Sequence, residues 1–301
     1  MRTHIVGFVV CNSLLVVINK LCVDLLPDAA TVLLLQTAFA TIFACPQSKP
    51  VRLSGVEDMQ WVVCALGFLT CVWSNMKVLQ YSNVETFIVL RSTTPIVTSV
   101  ADSLCLDRQL PSTRSTLAMV GIVSGAVGFL LVETPATSSG HIWVYMTLWY
   151  VSFTFDQIFI KYTVDSFPRW SNWTRMLYLN GWAFVVLLVY GLGFNLPSLM
   201  ILPKDVEELR TGAALLASCS IGSGMSYYSL ACRRELSATS LTILGVVCKI
   251  LSVIVNVTMW EKHASAKGIV CLLACLTAAS VYEQAPLKDD ARLAEGLPLA
   301  T

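Results

Sequence analysis

INKLCVDLLP, at residues 18–27, recurs in altered form as FIKYTVDSFP at residues 159–168. The alignment pairs lysine with lysine, aspartate with aspartate and proline with proline, and Lys161 follows Lys20 by 141 positions. Each stretch ends an apolar run long enough to cross a bilayer, which takes about 20 residues. The match therefore predicts two homologous halves, each beginning with a membrane-spanning helix.

Apolar runs of this length fill most of the chain. Of the 301 residues, 55% are hydrophobic and 13% are charged, whereas a soluble domain has about 25% charged residues. We predict an all-α membrane protein with spans at residues 4–24, 29–47, 59–80, 84–105, 115–132, 141–163, 174–192, 209–230, 237–257 and 265–283. The net charge of +1 gives no reason to expect a nucleic-acid partner.

The odd number of spans in each half decides how the halves are related. A second copy of five helices must enter the membrane from the opposite side, which makes the repeat inverted. The sequence thus predicts ten transmembrane helices as two inverted five-helix repeats, at residues 1–135 and 136–283, followed by a disordered cytosolic tail at 284–301. Inverted repeats are typical of transporters whose substrate site lies near the middle of the membrane.

Positive charges near the span ends predict the orientation. Eleven Lys and Arg residues lie on the side that holds both termini, against five on the other side. Because cytosolic loops carry the excess of positive charge, both termini are expected in the cytosol. The glycosylation sequon Asn172-Trp173-Thr174 would then face the cytosol and remain unmodified.

Four basic residues fall inside predicted spans: Lys20, Arg91, Lys161 and Lys249. A cation at the centre of a membrane helix costs about 2.5 to 3.5 kcal/mol on insertion scales, so each needs a partner, a wet cavity or a route to the interface. Lys20 and Lys161 lie near helix ends, where long side chains reach the interface. Arg91 and Lys249 lie deeper and are the stronger candidates for substrate binding.

The repeat relates the helices that carry these two deep cations. An offset of 154 positions aligns Arg91 with Gly245 and Pro95 with Lys249. Such a pair could bracket one anionic group, and a pyrophosphate suits a guanidinium fork beside an ammonium group. The alternative is a permanent ion pair between Arg91 and Asp102 or Glu85. A proton-coupled mechanism would instead use Asp156 or Glu85 as the titrating carboxylate.

Aromatic and amide side chains inside the spans form a further candidate set. Such residues stack on and hydrogen-bond a nucleobase, but they also join helices to one another in membrane proteins. Both interpretations stay open for Tyr178, Asn180, Tyr227 and Tyr228, and for Asn12 and Asn75.

Enzyme chemistry has no support in the sequence. The chain carries no P-loop, zinc-protease motif or nucleophile elbow, and its three histidines lie near span ends. Most of the eleven cysteines lie inside spans, where they are expected to pack as small apolar side chains. No metal site and no cofactor are predicted.

Three segments resemble a known family. Residues 18–20 (INK), residues 82–92 (SNVETFIVLRS) with Pro95, and residues 245–249 (GVVCK) are similar to nucleotide-sugar transporters of the drug/metabolite transporter superfamily. The likeness is to the GDP-mannose and GDP-fucose transporter branch and covers nearly the whole chain. It implies the same fold of ten helices in two inverted repeats.

The resemblance also implies roles for particular residues. In that branch an aromatic-Tyr-Asn-Asn motif on helix seven is associated with guanine, and a Gly-x-x-Asn-Lys motif on helix nine with the rest of the nucleotide-sugar. Here Leu179 and Cys248 each stand where an asparagine is expected. Together with the residues above, the candidate substrate-binding set is Asn19, Lys20, Glu85, Arg91, Tyr178, Asn180, Tyr227, Tyr228, Gly245, Cys248 and Lys249.

The function implied by the resemblance is an antiport. A GDP-sugar, GDP-fucose or GDP-mannose, would enter the Golgi lumen in exchange for GMP, with membrane lipid and a homodimer as further expected partners. Two alternatives stay open: an antiporter of the same fold for a UDP-sugar, a sugar phosphate or a triose phosphate, and a non-transporting membrane scaffold paralogue.

Overall fold

The computed structural model describes residues 1–25, 29–49, 55–81, 84–133, 141–194, 206–259 and 265–288. These residues form ten α-helices and no strand. The helices are α1 (Arg2–Leu25), α2 (Ala29–Ala44), α3 (Gly55–Tyr81), α4 (Val84–Cys105), α5 (Thr113–Glu133), α6 (His141–Ser166), α7 (Asn172–Phe194), α8 (Val206–Glu235), α9 (Ala238–Met259) and α10 (Ala266–Val281). Each predicted span coincides with one of them to within a few residues, so the prediction of ten helices is confirmed.

The surfaces of these helices are apolar, as a lipid environment requires. Leu104 and Leu131 expose 76% and 79% of their surface, and many other large apolar side chains are exposed. Three stretches, Ala30–Gln47, Gly55–Asn75 and Thr113–Val132, are long and apolar enough by themselves to cross a membrane. Three shorter helical stretches, Arg2–Leu15, Ala238–Cys248 and Ala266–Val281, are apolar as well. The chain is a multi-pass membrane protein.

The helices group into two compact units. Unit 1 comprises Met1–Met76 and Thr163–Glu235, and therefore holds α1, α2, most of α3, α7 and α8. Unit 2 comprises Lys77–Tyr162 and the chain from Leu236 onward, and holds α4, α5, most of α6, α9 and α10. Each unit takes helices from both predicted repeats, and the predicted repeat boundaries stay a prediction.

Unit 1 is built around the antiparallel packing of α1 on α8 and of α2 on α7, and α2 also packs on α8, to which it runs parallel. Gly7 allows the closest approach, because a Cβ atom there would lie 2.6 Å from the ring of Tyr228. Further along the same pair of helices, the Cys22 thiol donates to the Ala214 carbonyl at 3.4 Å. A side chain larger than glycine at position 7 would displace the Tyr228 ring from its present position.

Unit 2 depends on two antiparallel pairs, α5 on α10 and α4 on α9. A Cβ atom at Gly125 would lie 2.6 Å from the Sγ atom of Cys275, and one at Gly121 would lie 3.0 Å from Ala278. The small-residue spacing of α5 thus serves helix packing within the unit. Apolar side chains from α5, α9 and α10, among them Met119, Ile243 and Leu272, form a core cluster of this unit.

The polar segment predicted to begin a disordered tail at residue 284 is ordered over its first residues. The side chain of Gln284 accepts a hydrogen bond from the Ser237 amide at 2.9 Å. The Arg108 guanidinium donates to the Ala285 carbonyl at 2.7 Å, and the Lys288 amide donates to the Asp107 carbonyl at 2.8 Å. These bonds extend the ordered chain to residue 288, and residues 289–301 lie outside the described part of the structure.

Candidate substrate-binding residues

Asn19 on α1 belongs to a polar network inside unit 1. Its side-chain oxygen accepts hydrogen bonds from Nε2 of Gln36 on α2 and from Oγ of Ser218 on α8, both at 2.9 Å. The Gln36 amide also donates to the Ser218 hydroxyl. Asn19 therefore joins three helices, as buried amides commonly do in membrane bundles. A substrate group would have to compete with these internal bonds.

Tyr178 on α7 lies in a cluster of aromatic rings near the connection between α6 and α7. Its ring centroid is 5.0 Å from that of Trp170 and 6.3 Å from that of Trp61. The two tryptophan rings stack on each other at 5.6 Å with an interplanar angle of 5°. The cluster fixes the orientation of the Tyr178 ring in the described structure.

Asn180, two residues further along α7, is buried and uses its amide nitrogen for helix packing. Nδ2 donates to the Ser226 hydroxyl on α8 at 2.7 Å and to the Met176 carbonyl at 2.9 Å. Of the two roles left open by the sequence, the described contacts are those of a residue that joins helices. Leu179 beside it is also buried.

Tyr227 and Tyr228 on α8 pack against the beginning of α1 and of α7. The Tyr227 ring lies 4.3 Å from that of Trp173, and its contact with the His4 ring is 6.5 Å between centroids. The Tyr228 ring stands edge-on to Tyr227 at 5.4 Å and covers the backbone of Gly7. Both rings are half-buried, and their described neighbours are other parts of unit 1.

Arg91 on α4, in unit 2, lies where a proline interrupts the helix. Pro95 has no amide hydrogen, so the hydrogen bond that position 95 would normally donate to the Arg91 carbonyl is absent. The Thr94 hydroxyl donates to that carbonyl at 2.7 Å instead. Side chains that replace lost backbone bonds in this way allow proline within a membrane helix.

The Arg91 guanidinium lies between an aromatic ring and a glycine. Its central carbon is 4.8 Å from the centroid of the Phe153 ring on α6, a distance typical of a cation–π interaction. On α9, a Cβ atom at Gly245 would come within 2.9 Å of Nη2 of Arg91. Any residue larger than glycine at position 245 would displace the guanidinium from its present position. The predicted residues Arg91 and Gly245 therefore belong to the same local arrangement.

The alternative ion pair between Arg91 and Asp102 is wrong. Asp102 is 3% exposed, and its Oδ2 atom accepts hydrogen bonds from the Thr239 amide, at 2.8 Å, and from the Thr239 hydroxyl. The carboxylate therefore stabilises the first turn of α9, where amides are unpaired and the helix dipole is positive. Asp102 is also eleven residues from Arg91 along α4, or about 16 Å at 1.5 Å per residue.

Of the remaining candidate residues, some are buried and others have side chains outside the described part of the structure. Cys248 is 1% exposed. Lys161 is buried as well, although its sequence position had favoured a side chain that reaches the interface. The side chains of Lys20, Glu85 and Lys249 lie outside the described part of the structure.

Comparison with known proteins identifies the family. The chain is 30% identical to GDP-fucose transporter 1 of Arabidopsis thaliana over 95% of its own length and 86% of that protein. It belongs to the nucleotide-sugar transporters. Within them the likeness is to the GDP-fucose and GDP-mannose branch, because the GDP-mannose transporter GONST3 of the same plant is 29% identical over 97% of this chain and 80% of that protein.

Two further comparisons bear on this nucleotide-sugar transporter. A solved crystal structure matches its fold with a TM-score of 0.68 at 13% sequence identity, covering 93% of this chain and 95% of that one. No protein-family model matches the sequence. The curated relatives are named as transporters, which agrees with the prediction that the chain is not an enzyme.

Sequence reasoning missed three buried arginines, Arg108, Arg175 and Arg233. Arg175, in the first turn of α7, has no exposed surface. Its guanidinium donates to the carbonyls of Phe167, at 2.8 Å, and Val164, at 3.3 Å, and to the side chain of Asn172 at 3.1 Å. It thus satisfies carbonyls at the end of α6. Nothing in the sequence separates Arg175 from the other positive charges near span ends.

Proposed function

We propose that this nucleotide-sugar transporter is an antiporter that carries a GDP-sugar, GDP-fucose or GDP-mannose, into the Golgi lumen in exchange for GMP. The observation that carries the proposal is the arginine of α4 held against Phe153 and Gly245 within the membrane-spanning part of unit 2. A cation is costly there, and the usual reason to keep one is an anionic ligand on the transport pathway. The names of the two plant relatives support the choice of GDP-sugars.

The inverted repeat is part of the proposal. Helices five apart in the chain pack together, namely α2 with α7, α4 with α9 and α5 with α10. In the last two pairs the helices are antiparallel, as an inverted relation requires and a parallel one forbids. Arg91 and Gly245, which are equivalent in the predicted repeat, touch each other. Equivalent positions meet only near the pseudo-two-fold axis, so this contact supports an axis close to Arg91.

The chemistry explains why the two ligands would exchange. A GDP-sugar and GMP both carry phosphate oxygens, which accept two parallel hydrogen bonds from a guanidinium group. Both would therefore compete for Arg91, and for Lys249 as a second point charge. Since neither ligand needs a proton to bind these cations, the exchange needs no titrating carboxylate.

The remaining parts of the proposal concern the orientation of the protein, its compartment, its partners and its contacts with the base. The excess of positive charge on the side of the termini supports cytosolic N- and C-termini. A Golgi location, a dependence on membrane lipid and a homodimer are proposed from the family likeness. Predicted guanine contacts at Tyr178 and Asn180 stay in the proposal, although their described contacts are internal to unit 1.

A second candidate function is exchange of another organic anion, such as a UDP-sugar or a triose phosphate. Two positions favour it. Leu179 and Cys248 stand where the GDP-sugar branch has asparagines, and both are buried without an amide to offer a base or a sugar. Phosphate binding by Arg91 would be unchanged in such a protein, so only the selectivity distinguishes the two functions.

The test is counterflow by the purified protein in liposomes loaded with GMP. Uptake of labelled GMP is measured while external GDP-fucose, GDP-mannose, UDP-sugars and triose phosphate compete. We expect competition by the GDP-sugars alone. We also expect Lys249→Ala to lower the exchange rate by about tenfold to one-hundredfold, the effect of losing a hydrogen bond to a charged group worth about 1.5 to 3 kcal/mol.

Lys267→Ala is the matched control, because Lys267 is exposed in the first turn of α10 and the substitution is the same. It should exchange GMP at the unaltered rate. Stronger competition by another anion would establish the second candidate function. Equal uptake into empty and GMP-loaded liposomes would refute antiport, and no uptake into either would favour the scaffold alternative.

A further inference from the structure

Unit 1 contains a cavity at the end that carries the N-terminus of the chain. Its volume is about 330 Å³, within the range of known small-molecule sites. Three basic side chains line it, together with one indole ring and two hydroxyl groups. The basic residues are Lys49, Arg169 and Arg234, and the other lining residues are Pro168, Trp170, Ser171 and Thr174.

The charge of this cavity is one-sided. The three cations come from chain segments far apart in sequence, namely the α2–α3 connection, the α6–α7 connection and the last turn of α8. No carboxylate belongs to the described lining. Glu235, beside Arg234, instead contacts the N-terminal amino group at 3.4 Å and the His4 ring at 3.3 Å. Like charges gathered in a concave site create a positive potential that attracts anions.

Described contacts hold two parts of the cavity wall, the α6–α7 connection and the first turn of α7. Trp170 stacks on the buried Trp61, and Arg175 holds the same connection by donating to the Phe167 carbonyl. The Ser171 hydroxyl accepts a hydrogen bond from the Thr174 amide at 3.1 Å, which caps the first turn of α7. The positive end of that helix therefore faces the lining residues. A site whose walls are already ordered loses little freedom when a ligand binds.

We propose that this cavity, which we term the terminal-face site, binds a phosphate-bearing anion. Two guanidinium groups and an ammonium group match phosphate oxygens, and the positive end of the α7 dipole adds to the attraction of an anion. The site is distinct from Arg91 and does not depend on the proposed antiport. On the predicted topology it opens to the cytosol, where both an anionic lipid headgroup and a soluble nucleotide carry the required phosphate.

The experiment measures binding to the full-length protein in detergent. One probe is short-chain phosphatidylinositol 4-phosphate, and the other is GMP, measured in an Arg91→Gln background that weakens the proposed transport site. The site variant is Arg169→Gln/Arg234→Gln. The matched control is Arg2→Gln/Arg114→Gln, which removes the same charge from two exposed arginines outside the cavity.

We expect at least one probe to bind at least tenfold more weakly to the site variant, and less than twofold more weakly to the control. Loss of the lipid probe alone identifies a headgroup as the ligand, and loss of GMP alone identifies a nucleotide. Equal weakening in both double variants, or binding that does not saturate, overturns the proposal and leaves the cations as ordinary positive-inside charges. GMP counterflow is also measured for the site variant, so that a loss of binding at the terminal-face site can be distinguished from a failure of antiport.

Discussion

Two arginines, one in each unit, differ in how they are held. In unit 1, Arg175 is completely buried and directs its N–H groups to two backbone carbonyls and an asparagine side chain. In unit 2, Arg91 is half-buried and lies against the Phe153 ring and the backbone of Gly245. Burial by itself therefore does not identify a functional cation.

The two arginines differ in the groups that surround each guanidinium. Two of the acceptors around Arg175 are the Val164 and Phe167 carbonyls at the C-terminal end of α6, where carbonyls lack partners within the helix. The surroundings of Arg91 include a ring face that favours positive charge and a glycine whose absent side chain makes room for the guanidinium. Arg175 completes the fold, whereas the surroundings of Arg91 are compatible with the substrate-binding role proposed for it.

The largest expected effect comes from giving both arginines the same substitution. Arg175→Met should destabilise the protein by about 3 kcal/mol, because the buried Val164 and Phe167 carbonyls lose charge-assisted hydrogen bonds. Arg91→Met should instead lower the GMP counterflow rate by about one-hundredfold, with little change in stability. Thermal unfolding in detergent and counterflow in liposomes, measured on both variants, check the two halves of this prediction.

Arg210→Met, at an exposed arginine of α8, is the control for both assays. It should change neither. The comparison between the arginines breaks down if Arg91→Met unfolds as readily as Arg175→Met. It also breaks down if a stable Arg175→Met protein has lost transport.

The features that could be predicted from sequence are those set by neighbours along the chain. Ten helices follow from apolar runs of bilayer length, since each helix satisfies its own backbone in lipid. Arg91 could be predicted as a candidate substrate-binding residue because it lies deep within one such run. The bond from Thr94 to the Arg91 carbonyl is also local, because Pro95 removes the donor four residues on.

The features that escaped prediction depend on distant partners. The role of Arg175 requires the end of α6 to lie beside the first turn of α7. The internal bonds of Asn19 need two other helices, and Gln36 and Ser218 are distant from it in sequence. Asp102 resembled a partner for Arg91 until the first turn of α9 was found beside it. A single sequence holds no signal for these long-range contacts.

A smaller effect is expected from Gly245→Ala, which tests whether the position of Arg91 matters. The new Cβ atom would lie 2.9 Å from Nη2 of Arg91. Because that atom ends a flexible side chain, the guanidinium can move away at little cost in stability. We expect a counterflow rate lower by about tenfold, the result of losing about 1.4 kcal/mol of ligand interaction, and unfolding at nearly the unaltered temperature.

Gly212→Ala is the matched control, since it makes the same change in a helix where a Cβ atom meets no described atom within 4 Å. Alanine should be neutral or slightly stabilising there because it favours the helix more than glycine does. An unaltered counterflow rate in Gly245→Ala would mean that Arg91 does not need its present position. The contrast with Arg175 would then lose its structural basis.

The smallest effect is expected at Asn180. The experiment tests whether this predicted base-binding residue of unit 1 serves helix packing alone. The bond from its amide to the Ser226 hydroxyl is 2.7 Å long, and such interhelical bonds contribute about 0.6 kcal/mol on average in membrane proteins. A double-mutant cycle of Asn180→Leu and Ser226→Ala should therefore give a coupling below about 1.5 kcal/mol in unfolding. If Asn180 serves packing alone, GMP and UMP should compete for counterflow in the same ratio in all four proteins. If Asn180→Leu changes that ratio and Ser226→Ala does not, Asn180 contacts the base as well. In that case a single side chain of unit 1 both packs helices together, as Arg175 does, and binds the ligand, as proposed for Arg91.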